Sequence, residues 1–463
     1  MLIKIKYIIL FIFLINLNGY SQSAWTLNKC IEYAYENNIQ IKQNELSNKI
    51  NQLEIKQLKS NRIPSLNASD NHGFNLGDDP FNTNTFSINS SITLYNGNQN
   101  NNSIKQTELN YEAGKYNIQE TKNSISLSIA DAYLEIIFYT EQIKTAKSQL
   151  ESTIEELNNT KNKVDAGMLP VSNYLQLEAQ KYSEELTVTN TENQLRIAKV
   201  NLMQLMELPI KDDFEIIIPE INIEDQYKNL SQSIENIYQS ALTTRPEVQN
   251  AILNTQSYEL GIKIAKAEQL PKLTLNASIG TQFSSLNETT SYAGLETVTV
   301  GYLESDPTEY VVDQQPLVTY SDYPFFDQYN DNLYETVSFN LSIPIFNNYQ
   351  AKTSIAKSKI NFQSSQLDLI STKNTLRKNI EQAYTDLLAA KKEYDANLKL
   401  LESYQKSYED ASKKFNAGMI NSVDFLIEKT NLINAENSLL QSKYNLIFKN
   451  MILDHYQGNP ITL

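Results

Sequence analysis

The seventy residues from Asn348 to Ala417 contain neither glycine nor proline, and the window Asn98–Ala166 contains only Gly114. A stretch this long without a turn-former pairs its backbone amides most simply as one unbroken α-helix. At 1.5 Å per residue each would extend roughly 100 Å. The whole chain supports this economy of turns, with only 12 glycines and 12 prolines in 463 residues. The apolar residues follow heptads. Stepping by seven from Ile129 gives Ile136, Ile143, Leu150, Leu157 and Val164, paired with Ile118, Ile125, Ala132, Tyr139 and Ala146. The later window gives Ile380, Leu387, Tyr394, Leu401, Tyr408 and Phe415, paired with Leu369, Leu376, Ala383 and Ala390. Such a stripe packs helices side by side as a coiled coil.

The two windows belong to a longer repetition. Asp131-Ala132-Tyr133-Leu134 matches Gln382-Ala383-Tyr384-Thr385, and Val164–Met168 matches Phe415–Met419, both at an offset of 251. Ile92–Asn96 matches Ile343–Asn347 at the same offset, whereas Pro64 matches Pro271 and Ala34 matches Ala241 at 207. The 44-residue difference is an insertion in the second copy. We therefore expect a first repeat over 22–230 and a second over 231–463. The first comprises a helix at Leu27–Arg62, a β-hairpin at about 65–95, a long helix at 98–166, a helix at 170–207 and a connector at 208–230. The second comprises a helix at Ile234–Gln269, a hairpin at about 272–346, a long helix at 348–417, a helix at 421–457 and a short tail. In Ala166-Gly167-Met168-Leu169-Pro170 the glycine suits a helix C-cap and the proline the first turn of the next helix. Asn421 or Ser422 can cap in the second copy.

Before each long helix the apolar period changes from 3.6 to 2. Val337, Phe339, Leu341, Ile343 and Ile345 alternate with Ser338, Asn340, Ser342 and Pro344. Leu273, Leu275, Ala277, Ile279 and Phe283 form a second such series, and Phe86, Ile88, Ile92 and Leu94 a third. Leu66–Phe74 is weaker. Alternating strands of about 9–11 residues suit a transmembrane β-barrel or a water-soluble sheet with one buried face. Residues 1–21 favour the membrane. A basic start (Lys4, Lys6), the apolar run Ile8–Ile15 and a cleavage site at Gly19-Tyr20-Ser21 before Gln22 make a cleavable export signal, too short to span a bilayer. Four strands cannot close a barrel, and an open sheet edge is not viable in lipid. Several chains would have to pool their strands, with Tyr95 and Phe346 at the lipid–water boundary.

Composition excludes other classes. Mean hydropathy is −0.43, against a polytopic helical membrane protein. Net charge is −15, and the export segment holds two of the lysines and no acid, so the remainder is more negative still and repels nucleic acid. One cysteine, Cys30, rules out an internal disulfide, and its setting suggests a helix-packing role. Two histidines rule out a His-rich metal site. No P-loop, His-Glu-x-x-His or Gly-x-Ser-x-Gly motif occurs, so an enzyme is not expected and neither cofactor nor metal is assigned.

An export signal, a duplication, two strand pairs and two very long helices ending in glycine turns resemble the TolC family of outer membrane efflux proteins, over essentially the whole mature chain. The resemblance implies a mainly α fold with a small β part: a homotrimer sharing a twelve-stranded barrel in the outer membrane, continued by a periplasmic α-barrel. It implies an exit duct for tripartite efflux or type I secretion, partnered by a periplasmic adaptor and an inner-membrane transporter. Gly167, Met168, Leu169, Gly418, Met419 and Ile420 match the adaptor-docking helix tips. Asp424 matches an acid of the periplasmic entrance, and Asn173 takes that place in the first copy. The family's lock residues, Tyr and Arg, fall at Phe415 and Ile420, so closure here would rest on their packing or on other polar groups. The alternative is an exported coiled-coil stalk or surface scaffold with no transport role.

The insertion, 284–335, holds ten acids and no base, interleaved with aromatic residues. It reads as a solvated loop at the outer mouth. The sharper reading is an acidic collar that favours cations or holds divalent ions.

Overall fold

The computed structural model describes residues 24–211 and 213–463. The expected export segment lies outside the described residues. In chain order the elements are α1 (Leu27–Asn37), α2 (Ile39–Ser60), β1 (Ser65–Asn75), β2 (Phe81–Tyr95), α3 (Gln99–Asp165), α4 (Val171–Leu205), a 3-10 helix (Ile223–Ser231), α5 (Ile234–Thr244), α6 (Pro246–Ala267), β3 (Lys272–Ser284), β4 (Glu288–Leu303), β5 (Asp306–Asp322), α7 (Phe325–Asp331), β6 (Tyr334–Ser342), α8 (Gln350–Asn416) and α9 (Ser422–Gln457). They form two compact units. One comprises residues 24–50, 110–255 and 365–463; the other comprises 51–109 and 256–364.

The first unit is helical. Helices α3 and α8 have 67 residues each, roughly 100 Å. Their heptad residues are the ones withdrawn from solvent: Ile129, Ile136, Ile380 and Leu387 are fully buried, and the other stripe positions are buried or half-buried. Gly114 lies within the unbroken α3 for a packing reason, because a β-carbon there would collide with the side chain of Asn48 on α2. Cys30 packs in the core beside Ile129 and Tyr133, and burial pushes its thiol up to about 12, leaving it unreactive. The connector is tied in by backbone. Trp25 N–H donates to the Glu215 carbonyl at 2.9 Å, Ile217 N–H to the Trp25 carbonyl at 2.9 Å, and the Tyr133 hydroxyl reaches the Trp25 carbonyl at 3.0 Å.

The first helix of each expected repeat is not continuous. It breaks at Asn38 and again at Arg245. The Asn38 carboxamide accepts from the amides of Gln40 (2.9 Å) and Ile41 (3.3 Å), capping α2 while its own N–H closes α1 on Ala34. In the second case Pro246 starts α6, where its missing N–H costs nothing. Arg245 is buried beside the end of α9. Its Nη1 donates to the His455 carbonyl at 3.0 Å and lies 2.8 Å from His455 Nε2, while its Nε pairs with Glu247 at 3.0 Å. A guanidinium only donates, so Nε2 must present a lone pair, and the imidazole is neutral.

The second unit carries a four-stranded antiparallel sheet in the order β1-β2-β3-β6. Strand β1, weak in sequence, pairs along its full length with β2. Strand β6 begins earlier than the alternation suggests and stops before Ile343, because Pro344 has no amide to donate. The register sorts the residues by face. Ile92, Leu275 and Phe339 align across three strands, as do Ser90, Ala277 and Val337. The opposite face aligns Ser91, Asn276 and Ser338, then Asn89, Ser278 and Thr336. No layer among the described residues covers the apolar face at β6, where Val337 is 71% and Phe339 69% exposed. Strands β1 and β6 each keep one unpaired edge.

The acidic insertion is not a loop. Most of it is the hairpin β4–β5, a sheet of its own, followed by α7. Gln328 of α7 is fully buried and uses its whole amide. Its oxygen accepts from Ser284 N and Asn287 Nδ2, both at 3.0 Å, and its nitrogen donates to the carbonyls of Ser284 (3.0 Å) and Tyr323 (2.7 Å). Phe325 stacks on Tyr329 and meets Phe283 at a tilt, which pins the base of the hairpin to β3.

Burial and the Arg245 charge lower the His455 pKa from 6.5 to about 4. The unfolded chain therefore binds the extra proton first. Stability is full above the unfolded value and falls as pH drops through the window between the two, by about 1.4 kcal/mol per unit. The thermal midpoint of the detergent-solubilised protein should drop between about pH 7 and pH 5, and His455→Gln should flatten that slope. Equal slopes in both proteins would contradict this account.

Candidate functional site

Both long helices end in the same structure. Gly167 and Gly418 have φ of +71°, the left-handed conformation that closes a helix, with open space where a β-carbon would stand. Gly167 N–H donates to the Val164 carbonyl at 2.8 Å and Met168 N–H to Lys163 at 2.8 Å. Gly418 N–H reaches Phe415 at 3.0 Å and Met419 N–H reaches Lys414 at 2.9 Å. This pair of bonds is a Schellman motif. It satisfies the last carbonyls without side chains and leaves the following residue free. Met168 and Met419 are each 73% exposed, and Leu169 and Ile420 are half-buried behind them. The next helices start differently. Asn421 caps α9 by accepting from Asp424 N–H at 2.9 Å, whereas Pro170 stands at the α4 cap with no side-chain bond.

The two tips lie together within the helical unit. Lys163 Nζ donates to the carbonyl of Asn416 at 3.3 Å. Ser422 donates to Asn173 Oδ1 at 3.1 Å and also touches Gln176 Oε1. Asn173 is thus buried in the contact between α4 and α9, while Asp424 faces outward, so the structure separates the two positions the sequence treats as equivalent. Phe415 is buried and stacks on Phe425 with ring centres 4.8 Å apart and planes 11° off parallel. Leu177 and Ala411 complete the cluster, with Ile420 against it. Tyr95 and Phe346 belong to the sheet-bearing unit and are exposed at the strand ends that lead into α3 and α8.

Sequence reasoning missed a polar knot behind the tips. Lys429 of α9 is buried, and its ammonium donates to Glu156 Oε2 at 2.8 Å and Thr153 Oγ1 at 2.7 Å. The Thr153 hydroxyl lies 2.5 Å from Glu184 of α4, and Tyr408 of α8 donates to Glu156 Oε1 at 2.8 Å. Burial and the Glu156 charge hold the Tyr408 hydroxyl far above the ordinary phenol range, so it stays a donor. A polar cavity of about 560 Å³ between α3 and α9 adjoins the knot. The signal was present in the heptads. Continuing the paired series past Ala146 reaches Thr153 and Thr160, where an apolar seam turns polar.

One cation therefore pairs directly with Glu156 and, through Thr153, sits one hydroxyl away from Glu184, in a knot to which α3, α4, α8 and α9 each contribute. Removing it leaves Glu156 with only the Tyr408 hydroxyl and no opposite charge, a loss on the order of 3–5 kcal/mol for a buried pair. Lys429→Met should lower the thermal midpoint sharply, and adding Glu156→Gln should restore part of it. No restoration in the double variant would show that the charge balance is not what the lysine supplies.

Comparison with known proteins agrees with this architecture. The outer membrane efflux protein family matches residues 30–207 and 237–458. Outer membrane protein TolC of Escherichia coli is 19% identical over 72% of this chain, which spans 61% of that protein. The outer membrane efflux protein BepC of Brucella suis is 18% identical over 96% of the chain and 87% of its own length. Among solved structures, CusC superposes with a TM-score of 0.75 at 16% identity over 96% of both chains, and VceC of Vibrio cholerae with 0.72 at 15% identity over 94% of this chain and 96% of its own. With the family matching most of the sequence on both sides of the chain's midpoint, this protein belongs to the outer membrane efflux protein family.

Proposed function

We propose that the chain is the outer-membrane exit duct of a tripartite efflux or type I secretion system. As a member of this family it is an outer-membrane protein and not an enzyme. The observation that carries the duct reading is the sheet register. One face is predominantly apolar, with no other layer among the described residues covering it at β6, the other is polar, and both edges are unpaired. Hydrocarbon tolerates the first face and water the second, but lipid tolerates no free edge. Three copies would supply twelve strands, above the eight at which single-chain barrels begin. In this trimer the paired long helices continue as a hollow α-barrel into the periplasm, and Tyr95 and Phe346 lie at the lipid boundary. The duplicated halves, 22–230 and 231–463, each contribute one hairpin and one long helix, after removal of residues 1–21 on export.

In the same reading Gly167, Met168, Leu169, Gly418, Met419 and Ile420 are the docking surface for a periplasmic adaptor, itself coupled to an inner-membrane transporter. Two exposed methionines on glycine-closed turns offer adaptable apolar contacts. Phe415, with Asn173 and Asp424, belongs to the periplasmic entrance, whose closure rests on packing of Phe415 and Ile420 or on other polar groups. A scaffold without a transport role would have no use for a lipid-facing ribbon.

Two measurements test this. An arginine on the apolar face near mid-membrane costs about 2–4 kcal/mol in a barrel. Phe339→Arg should abolish carbonate-resistant membrane association and trimer recovery from detergent, while Asn340→Arg, on the opposite face, should leave both intact. Equal tolerance would remove the membrane reading. Met168→Asp with Met419→Asp should abolish cross-linking to the adaptor without changing trimer yield, and undiminished cross-linking would place the docking surface elsewhere.

A further inference from the structure

Among the described residues the hairpin β4–β5 pairs with no other strand. Its strands have 16 and 17 residues, pair only with each other, and are exposed along their length. A lone two-stranded ribbon is marginal in water unless something covers its apolar side. The register shows which side that is. Tyr292 pairs with Val318, Thr299 with Val312, Tyr302 with Tyr310, and Thr290 with Tyr320. Directly paired residues share a face, so these aromatic and branched side chains form one stripe, with the rings of Tyr302 and Tyr310 5.2 Å apart. The stripe is open to solvent: Tyr292 and Tyr320 are each 68% exposed and Tyr310 62%. Between Thr290 and Tyr310 this face bears no charge. The acids Glu296 and Asp313 fall on the opposite face, Glu304 and Asp306 at the tip, and Glu288 and Asp322 at the base.

We propose that the β4–β5 hairpins of neighbouring copies pack on one another through this tyrosine–valine stripe, forming a protein-only collar beyond the pooled sheet. The inference rests on the trimer reading and adds to it a second contact between copies. Three observations favour another copy over a different occupant. The hairpin leaves β3 and returns to β6, an edge strand that must pair with the next copy in that reading, so the ribbons are brought together at the same boundary. Its own edges are poor templates for an added strand, being interrupted by bulges at Tyr292/Gly294 and Thr299/Gly301 and by Pro316. A basic partner would find no acid within the stripe itself, since its nearest carboxylates are Glu288 and Asp322 at the base and Glu304 and Asp306 at the tip. Packing stripe to stripe turns Glu296 and Asp313 outward into water, where like charges are screened.

The test uses the full chain purified in detergent, with its trimer mass checked by light scattering. Single cysteines are placed on the stripe (Val318→Cys, and Tyr310→Cys as a second position) and on the acidic face (Asp313→Cys), then treated with a short bis-maleimide. Cys30 is fully buried and provides the background. The stripe positions should give covalent dimers several-fold above Asp313→Cys. Absence of cross-links from both stripe variants in an intact trimer, or equal cross-linking from both faces, overturns the proposal and leaves the trimer standing. A stripe cysteine blocked to a water-soluble maleimide only in intact cells assigns the face to a different partner and also overturns it. Loss of the trimer in the unsubstituted protein removes the reading on which the proposal rests.

Discussion

A backbone amide without a partner costs several kcal/mol in hydrocarbon, and the four-stranded sheet has two rows of them, along β1 and β6. Everything proposed for this chain follows from that shortfall. The sheet is amphipathic by register, so it belongs at a boundary between lipid and water. It is too small to close on itself, so its edges call for other copies. Along the chain each strand pair leads directly into one of the long helices. The strand-to-helix joints are tight. Asn98 and Tyr349 take positive φ, and a β-carbon at Gly97 would strike Leu270 at 2.7 Å.

The helical unit answers a different physical demand. Long parallel seams of apolar residues specify that helices pack, but they specify register poorly, since every heptad resembles the next. The polar contacts supply the missing information. Lys429 can satisfy Glu156, Thr153 and, through the threonine, Glu184 at only one axial setting of three helices. Asn173 against Ser422 and Arg245 against His455 act in the same way at other levels. Buried polar groups of this kind add little net stability, and their value lies in excluding neighbouring registers.

Much of this was legible along the chain, because it is written in local periodicity. The long helices extend over nearly the expected spans, and the alternating residues of β2, β3 and β6 do sort to two faces. Other features depended on context. The breaks at Asn38 and Arg245 interrupt a continuous helical pattern, although Arg245-Pro246 was a visible warning. The acidic insertion reads as a solvated loop because ten acids dominate its composition, yet its tyrosines and valines alternate once the strands are paired. Lys429 looks like one of many surface lysines until four helices enclose it. The described residues contain no cluster of three or more metal-capable side chains, and the acids of the insertion are dispersed along a ribbon.

By itself the sequence determined the kinds of element and their faces, since hydrophobic period and the absence of turn-formers act over a few residues at a time. It also determined the glycine turns, because only a residue without a β-carbon closes those helices without strain. Tertiary structure alone decided which polar side chains would meet, that Asn173 is buried and Asp424 exposed, and that the insertion is a ribbon. Those outcomes depend on groups hundreds of residues apart arriving at the same place, and no local pattern carries that distance.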